Sequence, residues 1–115
     1  MPADPEYAYL TTTGRRTGRP HRVEIWYRLL GDVVWFIAGE GTASDWVQNL
    51  IADAAVTIEI GDTTLAGTAS VDDQDAPEAR RALAARYQGW REGQPLSSWA
   101  TGGMTVSVRL APPAS

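Results

Sequence analysis

The chain has 115 residues, a formal net charge of −4 and no cysteine, which excludes disulfides, thiolate catalysis and cysteine-ligated metals. A hydrophobic content of 43% with five tryptophans describes one globular domain with a single core. Every basic residue is arginine and the only histidine is His21, so lysine catalysis and a multi-histidine metal site are excluded; an enzyme built this way needs a bound cofactor to carry its chemistry.

Residues 1–6 are acidic and broken by prolines, unlike a signal peptide, and no apolar run is long enough to span a membrane; both features point to the cytoplasm. The domain is expected over residues 7–111, with a short tail at 112–115. Tyr7 to Thr12 is aromatic and β-branched and predicts a first strand. The stretch from Thr11 to Arg28 then carries five arginines and one glutamate, a local charge of 5 − 1 = +4 that leaves −8 for the remainder. Guanidinium forks suit phosphate or carboxylate, and Gly14 and Gly18 let the backbone turn and present its N–H groups. This segment reads as an anion-binding hairpin loop, the alternative being a solvated arginine-rich tip.

Arg22 to Leu30 alternates, which predicts one strand with Val23, Ile25, Tyr27 and Leu29 inward and Arg22, Glu24, Trp26 and Arg28 outward. Gly31-Asp32 is a two-residue hairpin signal. Val33 to Ala38 is apolar throughout and should be buried on both faces. Ser44 can cap a helix from Asp45 to about Ala52, with Trp46 and Leu50 on one side. A second hairpin follows: Ala55 to Ile60, a turn at Gly61-Asp62, and Thr63 to Val71. The pattern Asp75-Ala76-Pro77-Glu78 opens a helix to about Trp90, and the acidic group Asp72, Asp73 and Asp75 reads as its solvated start in preference to a metal site. Residues 91–103 read as a mobile loop bearing Trp99. Met104 to Leu110 is the last strand, stopped by Pro112-Pro113. Six strands in hairpins and two helices predict a mainly β (α+β) fold, a small antiparallel split barrel with two flanking helices, able to take a planar ligand at its mouth or at a dimer seam.

The segment TTTGRRTGRPHRVEIWY, joined to Gly39-x-Gly41 and then Trp46-x-x-Asn49-Leu50, resembles the deazaflavin-dependent nitroreductase family from about Leu10 to Ile60 and onward to Leu110. That family consists of split β-barrels related to flavin reductases and pyridoxamine-phosphate oxidases. The resemblance implies coenzyme F420, an 8-hydroxy-5-deazaflavin with a ribityl phosphate and an oligoglutamate tail, with FMN as the alternative. It places Arg15, Arg16, Thr17 and Arg22 on the phosphate and tail. It sets the backbone of Ala38, Gly39, Glu40 and Gly41 under the ring, with Trp46 and Asn49 supporting that loop. Glu40 stands where the family carries a basic residue.

The implied activity is hydride transfer from reduced deazaflavin to a small unsaturated or nitro-substituted substrate. Trp26, Tyr27 and Trp99 are the candidates for lining the substrate mouth. The proton donor is sought among Tyr7, Tyr9, Tyr27 and Tyr87, with Tyr27 the candidate named first. A homodimer is compatible with this reading. The rivals are an FMN-binding relative and a non-catalytic carrier of a planar or lipid ligand; an acidic chain with one short basic patch argues against nucleic acid.

Overall fold

The computed structural model of the chain describes residues 6–72 and 76–111. Most of the 1–6 tail, Asp73 and Asp75 of the acidic group, and the tail at 112–115 lie outside the described residues. Seven strands form one sheet: β1 (Ala8–Thr13), β2 (Pro20–Ile25), β3 (Arg28–Leu30), β4 (Val33–Ala38), β5 (Ala55–Ile60), β6 (Thr63–Asp72) and β7 (Met104–Leu110). A single 3-10 turn at Gly41–Ala43 leads into α1 (Asp45–Ala52), and α2 (Pro77–Gln88) and α3 (Ser98–Gly102) precede β7. All pairings are antiparallel, in the order β2-β1-β5-β6-β7-β4-β3.

That order puts β2 and β3 at opposite edges of the sheet, although only Trp26 and Tyr27 separate them in the chain. Three Cα steps span at most about 10–11 Å. The sheet must therefore curl until its two edges nearly meet, which makes it a half-barrel. The expected single strand from Arg22 to Leu30 is thus two strands. Its break has a physical cause: the Tyr87 hydroxyl accepts the N–H of Tyr27 at 3.0 Å and lies 3.0 Å from the Tyr27 carbonyl and 2.8 Å from that of Glu6. A side chain takes over backbone groups that a ladder would otherwise pair. The alternation fails after the break, and Leu29, expected inward, is 44% exposed.

The inner face holds the core: Leu10, Tyr27, Val34, Phe36, Leu50, Val56, Ile58, Val106 and Val108, with Trp46 packed against it. Each large side chain buried here contributes about 1.5–3 kcal/mol. β4 is buried on both faces, as its apolar run predicts. Phe36 points inward, while Ile37 is buried on the other face, where α2 and α3 bring Ala79, Leu83 and Ala100. The two glycine-aspartate turns form as expected, with φ of +64° at Gly31 and +59° at Gly61.

The stretch 91–103, expected to be a loop throughout, contains α3. The Ser97 hydroxyl caps it by accepting the Ala100 N–H at 3.2 Å. At its other end Nη1 of Arg80 donates to the carbonyls of Ala100, Thr101 and Gly103 at 2.9, 3.1 and 2.8 Å. Ser44 precedes α1 without a side-chain capping bond, and Gly89, in the left-handed region at φ +66°, ends α2 before Trp90.

Candidate functional site

The arginine loop closes tightly on itself. Gly14 N–H donates to the Arg19 carbonyl at 2.8 Å, Gly18 N–H to the Gly14 carbonyl at 2.8 Å, and Arg19 N–H to the Thr17 hydroxyl at 3.2 Å. Gly18 adopts φ +73°, which the turn requires and a side chain would resist. Asn49, 2% exposed on α1, then fixes the loop to the barrel. Its Oδ1 accepts the Arg15 N–H at 3.2 Å and Arg15 Nη1 at 2.8 Å, and its Nδ2 donates to the Thr12 hydroxyl at 3.3 Å. Arg15 also pairs with the Asp45 carboxylate at 3.3 Å. The result is a concavity of about 160 Å3 lined by Gly14, Arg15, Arg16, Thr17, His21, Asp45 and Asn49.

The arginines named from the sequence separate here into three environments. Arg15 shapes the pocket wall and has its charge engaged by Asp45 and Asn49. Arg16 has no hydrogen-bond or ion-pair partner among the described residues and is exposed at the same pocket. Arg22 is on the opposite face of β2, where it pairs with Glu59 at 2.9 Å and lies 3.8 Å above the Tyr9 ring. That contact with Glu59 raises the Arg22 pKa. Strand parity accounts for the split: His21, between Pro20 and Arg22, shares its face with Val23 and turns toward the pocket.

The connection after β4 forms a second part of the site. Gly39 abuts Trp99, where an added Cβ would stand 3.2 Å from Trp99 Cδ1, and Gly41 adopts φ +53°. The N–H groups of Glu40 and Gly41 meet no acceptor among the described residues. Gln48 of α1 braces this connection by donating to the Thr42 carbonyl at 2.8 Å. Asn49 braces the arginine loop, and Trp46 turns inward to pack edge-on against Phe36 at 6.5 Å.

Beyond Trp99 a cleft of about 240 Å3 is lined by Tyr7, Glu24, Ile25, Trp26, Ile37 and Trp99. Trp26 stacks on Tyr87 at 4.7 Å and meets Trp99 edge-on at 5.3 Å. Both tryptophans named from the sequence are therefore brought together. Tyr27 is not with them: it is 4% exposed and belongs to the core. Of the other tyrosines, Tyr87 is bound to backbone and Tyr9 donates to Glu24 at 3.1 Å, which raises the Tyr9 pKa above its ordinary 10.0. Tyr7 lines the cleft, and its hydroxyl has no hydrogen-bond partner among the described residues. Sequence reasoning did not single out His21, Asp45, Glu24, Ile37 or Gln48. Face parity along β2 and β4 was the available signal for His21 and Ile37.

The sequence profile of the F420H(2)-dependent quinone reductases matches residues 2–110. No curated protein matches the chain. Among solved structures, the chain is similar to an F420 reductase, 23% identical over 94% of this chain and 88% of that one with a TM-score of 0.64. It is also similar to the F420-H2 dependent reductase FDR-A, 20% identical over 90% and 93% with a TM-score of 0.65. HutZ, the heme storage protein of Vibrio cholerae, shares the fold at 14% identity over 94% and 83% with a TM-score of 0.70.

Proposed function

The chain belongs to the F420H(2)-dependent quinone reductase family, a family of oxidoreductases, and we propose that it reduces a small planar quinone or nitro-substituted acceptor with reduced F420. The observation that carries the proposal is the pocket at the arginine loop. One cation, Arg15, is held in place to shape it, while a second, Arg16, has no partner among the described residues and lies beside Thr17 and His21. This donor set fits a phosphate or carboxylate on a polyanionic cofactor. The free N–H groups of Glu40 and Gly41 fit the polar edge of a flat ring, and Gly39 keeps that approach open beside Trp99.

F420, when bound in its reduced form, supplies the hydride. The chain's own part is to bind, orient and exclude water. Arg16, Thr17 and His21 hold the anionic end, the 38–41 connection positions the ring, and Trp26 and Trp99 flank the acceptor. Tyr7 is the tyrosine placed to hold a hydrogen bond to an acceptor oxygen. Arg22, engaged by Glu59 on the other face, is assigned no part in cofactor binding.

Fluorescence titration with F420 and with FMN tests the proposal. F420 is expected to bind more tightly. Arg16→Ala should weaken F420 binding by tenfold or more, the effect of losing one charge-assisted contact of about 1.5–3 kcal/mol. Micromolar FMN binding with no F420 binding would overturn it.

A further inference from the structure

Of the six residues lining the Trp26–Trp99 cleft, one bears a charge, and it is a carboxylate, Glu24. Arg22, two residues away on the same face of β2, is drawn to Glu59 by two contacts of 2.9 and 3.4 Å, so the cluster of Arg22, Glu24 and Glu59 sums to −1. Glu24 is itself held in register opposite Tyr9, whose hydroxyl donates to Oε1 at 3.1 Å without adding charge. The remaining walls, Tyr7, Ile25, Trp26, Ile37 and Trp99, add no compensating charge. The free cation Arg16 lies at the other pocket.

We propose that Glu24 sets the charge selectivity of this cleft, which favours planar acceptors bearing a positive charge over uncharged ones and disfavours anionic ones. The acceptor role of the cleft rests on the function proposed above; the charge selectivity rests on the lining alone. The two ends of the site then select opposite charges, anionic cofactor at the arginine loop and cationic acceptor at the tryptophans. A cofactor entering by its tail is thereby kept from lodging in the acceptor cleft.

The test uses three naphthoquinone probes of equal ring size, one uncharged, one bearing a quaternary ammonium and one bearing a sulfonate. Each is titrated by quenching of tryptophan fluorescence, in the absence of F420, into wild type, Glu24→Gln and Asp62→Asn. Asp62 lies exposed in the β5–β6 turn and controls for net charge. Wild type should bind the cationic probe about tenfold more tightly than the anionic one at low salt, and the ratio should narrow at high salt. Glu24→Gln should bring the ratio within about twofold and move the uncharged probe by less than that. Asp62→Asn should preserve the wild-type ratio. The proposal is overturned by an unchanged ratio in Glu24→Gln, by an equal fall in Asp62→Asn, or by no binding of any probe. Loss of the F420 affinity expected above, with the Glu24 effect intact, would remove the cofactor assignment and leave the selectivity standing.

Discussion

Replacing Asn49 by alanine removes three hydrogen bonds at once from a site that is 2% exposed. Two are neutral, worth about 0.5–1.5 kcal/mol each, and the one from the Arg15 guanidinium is worth about 1.5–3 kcal/mol. The Arg15 side chain is 26% exposed, so water recovers part of this, and the net cost should be about 2–3 kcal/mol. For a domain of this size that lowers Tm by about 8–15 °C. The same change frees the arginine loop, so affinity for F420 should fall with stability. Asn49→Asp separates the two effects. It keeps the acceptor for Arg15, and the Thr12 hydroxyl can turn to donate, so stability should change by less than about 1 kcal/mol. Yet a carboxylate in the wall of this pocket adds a charge that repels a bound phosphate by about 1 kcal/mol or more, about fivefold or more in Kd. Urea unfolding and F420 titration of both variants supply the four numbers. An alanine variant within about 0.5 kcal/mol of wild type, with unchanged affinity, would refute the bracing role of Asn49.

Other outcomes follow from single contacts. Tyr7→Phe should lower kcat tenfold or more while KM stays within about threefold, read by steady-state oxidation of reduced F420. Arg80→Met deprives three carbonyls at the C-terminal end of α3, those of Ala100, Thr101 and Gly103, of this donor; it should cost about 2–3 kcal/mol and speed amide exchange in residues 98–103. Gly67→Ala would set its Cβ 2.5 Å from Val108 Cγ1 and 2.8 Å from the Arg109 carbonyl; a cost of about 1–3 kcal/mol in chemical unfolding is expected. Tyr9 donates to Glu24, so its folded pKa is raised and the contact, complete at neutral pH, is lost as pH rises past 10.0 through that raised value. Ultraviolet titration should show Tyr9 ionising at lower pH in Glu24→Gln than in wild type.

Much of the barrel was legible because its signals are local. Gly31-Asp32 and Gly61-Asp62 announce their turns through one residue that accepts positive φ, and the apolar run of Val33–Ala38 announces a strand covered on both sides. What was illegible depends on partners far along the chain. The break at Trp26-Tyr27 lies inside an unbroken alternation and exists because Tyr87, sixty residues later, bonds its backbone. α3 is one short turn between glycines, held by an arginine twenty residues earlier. The arginine loop was readable as a cluster of charge. Which of its arginines is free, and which is tied to Glu59 or Asn49, is decided by contacts over more than thirty residues.

An open sheet ordinarily invites further strands, because each edge presents a row of unpaired N–H and C=O groups to any passing chain. Here the two-residue link between β2 and β3 brings the edges close to one another, and neither makes a good template. β3 is three residues long. β2 begins with Pro20, which has no N–H to offer, and continues through His21, Arg22 and Glu24. A concentrated stock should therefore extend this sheet poorly, and resistance to fibrillar self-association is a consequence of the same short link that brings the two edges together.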